Sequence, residues 1–182
     1  MPASKMVKHI LDDMKKTNEE LWKKGIVRDA KGASVKQTGS DSWEISFSGK
    51  NDSGSIILDK HITATRIIEV LLENLQYTLL LYDKGIIQAE YEISNDKIVK
   101  ERLVFMKKHN KIWDFKEIEA YEAEDKDWFM EEEGVPIMLR IDYAPDDHIE
   151  GKHAATHLTL SNQECCRIPI KGIVTFSEFV RF

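Results

Sequence analysis

At 182 residues, with 42% apolar and 32% charged side chains, the chain has the size and composition of one globular domain with a real core, which excludes disordered and collagen-like classes. A formal net charge of −6 argues against a non-specific nucleic-acid binder, because such proteins draw most of their affinity from a basic surface. The two cysteines, Cys165 and Cys166, are adjacent and offer no disulfide framework; with no apolar leader and no bilayer-length apolar run, the expected setting is cytoplasmic, without membrane contact.

The first expected element is an amphipathic helix over residues 4–24. Ser4 is its N-cap, Gly25 its C-terminal stop, and Val7, Ile10, Leu11, Met14, Leu21 and Trp22 recur at helical spacing. Its apolar face is expected to cover the domain's own sheet. Residues 26–41 read as irregular chain with one short strand. Trp43, Ile45 and Phe47 then alternate with Glu44, Ser46 and Ser48, the pattern of a half-buried strand. "KNDSG" is a turn cluster and "SIIL" the returning strand of a hairpin.

A second helix is expected from Thr63 to about Gln76, capped by Thr63 or Thr65. Ile67, Ile68, Leu71, Leu72 and Leu75 give it a broad apolar face that suits tight packing on a sheet. Three strands follow as a meander: "YTLLLYD", "IIQAEYEI" with Ile87, Ala89, Tyr91 and Ile93 on one face, and "IVKERLVFM", joined by the turns "DKG" and "SNDK". Residues 107–134 are the least regular part. Trp113, Phe115, Tyr121, Trp128 and Phe129 stand there among many acids, as in a long loop that faces a partner. A strand then runs from near Pro136 to Pro145, and "THLTL" and "CCRIPI" form a last hairpin. Thr175 or Ser177 caps a closing helix that stops after one turn, so it is either shortened or docked.

The whole, residues 1–182, reads as a single α+β domain. A curved, largely antiparallel sheet of about six to eight strands is covered by two or three helices, the first and second on one side.

"LLLYDKGIIQAEYEISNDKIVKERLVF" resembles the central block of an uncharacterised bacterial family, domain of unknown function 2290. "IDYAPDDHIEGKHAATHLTL", with "CRIPI" and "FSEFVRF", is similar to its closing block. The resemblance covers the second and last thirds of the chain but not residues 107–134. It implies a soluble bacterial protein from accessory, mobile-element or defence-type gene neighbourhoods, and brings no established reaction. His153, His157 and Arg167 match the family pattern, whereas the cysteine pair is an individual feature.

Three of the six histidines, His148, His153 and His157, lie within ten residues. If His153 and His157 both lay on one strand they would be roughly 13 Å apart, too far to share one ion, so a metal site requires a bend between them and a further ligand such as His148, Asp142 or a cysteine. No zinc signature has this spacing, and imidazoles bonding backbone in a polar hairpin are the plainer expectation; no metal or cofactor is expected. Metal-free acid–base work is the sharper alternative: an imidazole takes a proton from a ribose hydroxyl while Arg167 stabilises a phosphate. Asp142, Asp146, Asp147 and Glu150 lack the lysine partner of a metal-dependent nuclease, and "PDD" reads as a turn. Glu90 and Glu92 pair with Lys100 and Arg102 across strands. Cys166 opposite His157 reads as a buried apolar residue rather than a nucleophile.

The leading expectation is therefore an accessory or binding subunit that acts through a protein partner in a bacterial defence or toxin-type system. The alternative is a small ribonuclease or phosphoesterase, acting on RNA through His153, His157 and Arg167. Whether the chain is an enzyme at all, and its oligomeric state, stay open at this point.

Overall fold

The computed structural model describes residues 4–47, 62–108, 136–150, 153–160 and 167–181. Helix α1 (Lys5–Lys23) starts where the Ser4 side chain accepts from the Val7 amide at 3.1 Å, and stops at Gly25, whose φ of +67° suits a residue without Cβ. Helix α2 (Ala64–Glu73) is capped by Thr63, whose hydroxyl accepts from the Arg66 amide at 3.3 Å. Helix α3 (Phe176–Arg181) begins with a capping box: the Glu178 amide donates to the Thr175 hydroxyl, and the Thr175 amide donates back to the Glu178 carboxylate. At 6 residues α3 cannot hold itself. Instead it docks, burying Phe176 and Phe179, while the Ser177 amide donates to Asp13 of α1 and Arg181 pairs with Glu20.

Among the described residues nine strands form one sheet: β1 (Val27–Ala30), β2 (Ser34–Gln37), β3 (Ser42–Ser46), β4 (Leu79–Leu81), β5 (Ile86–Ser94), β6 (Lys97–Lys107), β7 (Ile137–Tyr143), β8 (Thr156–Leu160) and β9 (Arg167–Pro169). Every pairing is antiparallel, in the order β1-β4-β5-β6-β7-β8-β9. β3 pairs with the far end of β5, and β2 with β3. The β5–β6 hairpin closes through Asn95 and Asp96, both at positive φ, which is the left-handed pair that a two-residue turn demands. Residues 26–41 hold two short strands where one was expected. β2 is exposed at all four positions, so no apolar alternation marks it. The "SIIL" strand and the aromatic 107–134 segment from residue 109 onward lie outside the described residues, as do Cys165 and Cys166.

Strand parity decides where the helices go. Ile87, Ala89, Tyr91 and Ile93 of β5, Leu103 of β6 and Ile141 of β7 share one face and pack on Val7, Ile10 and Met14 of α1 and Phe176 and Phe179 of α3. Ile86, Val104, Met106 and Met138 point the other way, against Ile67, Ile68 and Leu71 of α2. The expectation that α1 and α2 share a side is thus corrected: they sandwich the sheet. Helical periodicity shows which stripe is buried, not against which face; the adjacent apolar pair Ile86-Ile87, one on each side of β5, carried that signal. Among the described residues no helix is long and apolar enough to cross a membrane.

Candidate functional site

The α2 face changes character along the sheet. α2 covers the apolar residues, but toward β9 the same face carries Arg102, Arg140, Asp142, His157, Thr159 and Arg167. Register assembles them: Arg102 stands opposite Asp142, Asp142 opposite His157, Arg140 opposite Thr159, and Thr159 opposite Arg167. The Asp142 carboxylate is the hub. Its Oδ1 accepts from Arg102 Nε at 2.9 Å and its Oδ2 from Arg140 Nε at 2.5 Å. Burial pushes this carboxyl up, but the two guanidinium charges and their hydrogen bonds outweigh it and hold Asp142 below the usual carboxylate range. The aspartate serves as the counter-ion of both guanidiniums. Asp146 and Asp147 lie in an exposed 3-10 turn (Pro145–Asp147), as "PDD" implied.

His157 is 4% exposed. Its Nε2 lies 3.7 Å from Asp142 Oδ2, too far for a hydrogen bond, and its Nδ1 sits 3.4 Å from the Ala154 carbonyl. Burial lowers its pKa more than Asp142 raises it, and the charge of Arg167 and the neighbouring His153 add to the lowering. At neutral pH this imidazole is therefore uncharged. His153 does not continue β8. It forms an isolated antiparallel bridge with Ile149, and the His148 ring nitrogen lies 2.8 Å from its carbonyl. The chain leaves extended form between His153 and Thr156, bringing the two rings edge to face with centroids 4.9 Å apart. The bend that a shared site requires is present, and strand spacing alone misses it. His153 Nδ1 is buried without a hydrogen-bond partner. Arg167 is exposed on β9, and its Cα partner across the sheet puts its side chain on the same face as His157. His153, His157 and Arg167 thus gather at one end of one face. Among the described residues no group of three or more His, Cys, Asp or Glu side chains is placed to hold a metal.

The remaining carboxylates behave as cross-strand partners. Glu92 pairs with Lys100 at 3.1 Å, and Glu90 stands opposite Arg102. The small hollow that these residues line, with Glu44 and Tyr91, has a volume of about 10 Å³, room for a single water.

Two features of the opposite face were not anticipated. The first is an apolar groove of about 230 Å³ lined by Leu21, Ile26, Leu81, Ile87, Phe105, Leu139, Phe179 and Val180. Trp22 (56% exposed), Ile26 (41%) and Tyr82 are exposed beside it in the chain, with the Tyr82 amide donating to the Ile26 carbonyl. The second is Glu101, 1% exposed, with neither carboxylate oxygen hydrogen-bonded, whose pKa burial pushes up to about 8. Parity was the available signal, because Glu101 shares a face with Leu103 and Phe105.

Neither curated proteins nor solved structures yield a match to this chain. A family model does, and it covers every element described here except α1. The chain belongs to the family described as uncharacterized conserved protein DUF2290, whose model matches residues 26–182.

Proposed function

We propose that this chain is a non-catalytic binding subunit that acts through a protein partner, inside the cell, in a bacterial defence or toxin-type system. The observation that carries the binding reading is the apolar groove. Its volume of about 230 Å³ lies below the roughly 300–1,000 Å³ of small-molecule sites, and its lining carries no polar side chain to orient a metabolite. It does suit one or two apolar side chains delivered by a partner helix. The exposed Trp22 and Tyr82 beside it are residue types that anchor interfaces. The turn Lys23-Lys24-Gly25, between groove residues Leu21 and Ile26, adds exposed positive charge at the rim and favours a partner whose flanks are acidic.

The test is co-expression with the products of adjacent genes, followed by light scattering and affinity measurement on any complex. The expected result is a complex with one such product, weakened at least about tenfold by Ile26→Glu and unchanged by Arg167→Ala. A self-association that Ile26→Glu disrupts, or a complex indifferent to that substitution, overturns the assignment.

The second reading is a ribonuclease or phosphoesterase. It is supported by the 4.9 Å approach of the His153 and His157 rings, with Arg167 on the same face. Against it stands the burial of His157, whose Nε2 is directed at Asp142. RNA cleavage by the wild type that is lost in His157→Ala would replace the binding reading with this one.

A further inference from the structure

The row Arg140–Thr159–Arg167 runs across β7, β8 and β9 as direct register partners, so the three side chains emerge on one face at inter-strand spacings of about 5 Å. Thr159 is 2% exposed, and its hydroxyl has no hydrogen-bond partner. A buried hydroxyl left unpaired is costly, and one flanked by two guanidiniums lacks an acceptor above all. Arg140 gives its Nε to Asp142, a carboxylate that also accepts from Arg102. Arg167 makes no ion pair among the described residues, and all three residues of β9 are exposed. The row therefore holds donors and positive charge in excess of what the protein supplies to meet them.

We propose that the Arg140–Thr159–Arg167 row is an oxyanion site for a phosphoryl group, entered from the exposed β9 edge. A carboxylate presents two oxygens in one plane. A phosphoryl group presents three or more in a tetrahedral array and can accept from both guanidiniums and the hydroxyl together. The anion settles beside the His153–His157 pair and faces the positive charge of Arg167 that reaches His157. The site lies on the sheet face opposite the apolar groove; it shares Arg167 with the phosphoesterase reading but requires no catalysis.

Inorganic phosphate titrated into the full chain tests it, followed by NMR of the histidine ring signals and by calorimetry. Saturable binding is expected, with a rise in the His157 pKa as negative charge arrives beside it. Arg167→Ala should weaken binding about tenfold or more, and Thr159→Val, which keeps the strand-favouring shape, severalfold. Lys36→Ala on the distant β2 strand should change nothing. Parallel titrations with a ribonucleoside monophosphate and a short single-stranded RNA identify the source of the phosphate: tighter RNA binding with a steep salt dependence marks a phosphodiester backbone, and equal affinities mark a free phosphate. The site is refuted if phosphate acts only as chloride does at equal ionic strength, or if Arg167→Ala binds all three ligands as the wild type does. Phosphate binding without RNA cleavage keeps this site and removes only the phosphoesterase reading.

Discussion

Replacing Glu101 with glutamine should stabilise the protein, and by an amount that grows with pH. Glu101 sits on β6 between Tyr91 of β5 and Tyr143 of β7, facing α1 and α3, and both of its oxygens are buried and unpaired. Burial raises its pKa from the ordinary 4.5 to about 8; the nearby Val174 backbone opposes this, and the charge of Glu178 adds a smaller push upward. The folded chain thus keeps a proton that the unfolded chain releases. Stability is fully present below pH 4.5, falls as pH rises, and levels off above about 8. At about 1.4 kcal/mol per pKa unit, the gap is worth about 5 kcal/mol above pH 8 and about 3 kcal/mol at pH 7. That is a large share of the roughly 5–15 kcal/mol that holds a domain together. Glutamine keeps the shape and cannot ionise. Urea midpoints followed by circular dichroism from pH 5 to 9 should show wild type and Glu101→Gln close together at pH 5 and separating by several kcal/mol at pH 8. A gap that stays constant across this range would refute the buried, protonated carboxyl.

Asp142→Asn should cost about 3–5 kcal/mol in the same assay, because it strands two largely buried guanidiniums without a counter-charge. Replacing all three charges together, as Arg102→Met, Arg140→Met and Asp142→Leu, should recover most of that loss, and failure to recover would show that the arginines act elsewhere. His157 lies below its ordinary 6.5 when folded, so its contribution is present above that value and lost as pH falls through it; His157→Gln should flatten the acid side of the stability profile. Gly85→Ala would bring a Cβ to 2.9 Å from the Phe105 ring and 3.0 Å from the Asp83 carboxylate, so a loss of about 1–3 kcal/mol is expected in thermal melts. Thr175→Ala should cost about 1 kcal/mol by opening the capping box of α3, read as faster amide exchange at Glu178.

Local chemistry was legible in the sequence wherever it is local in fact. The Ser4 and Thr63 caps, the Asn95-Asp96 turn and the Ile87-Ala89-Tyr91-Ile93 face each depend on residues a few positions apart, and each stands as read. The partner face of α2 was not legible, because a helical stripe carries no record of which side of a sheet it meets. β2 was not legible because an exposed strand at a sheet margin lacks the burial that imposes alternation. At the candidate site, the composition was visible and the geometry was not. His153 approaches His157 only because the chain bends before Thr156, and Asp142 acquires its second arginine, Arg102, only through the register of β6 against β7. Glu101 lay open to the same parity argument that placed Ile87, but a glutamate among lysines and arginines invites the assumption that it faces water.

That register accounts for the expensive polar network on the α2 face. A one-residue slip of β6 would turn Arg102 toward α1 and α3 and bring Leu103 onto the α2 face beside the charges, reversing every side chain from Glu101 to Lys107. Apolar contacts alone resist such a slip weakly here, since β6 carries apolar residues of both parities, Leu103 and Phe105 on one face and Val104 and Met106 on the other. Asp142 resists it, because the observed alignment is what brings Arg102 of β6 to the carboxylate that Arg140 already engages from its own strand. The registers of β8 against β7 and β9 set Thr159 between Arg140 and Arg167. Arg140 is thus shared between the ion network and the proposed oxyanion site, and the uncharged triple variant separates the two roles: it should lose phosphate affinity while keeping much of its stability.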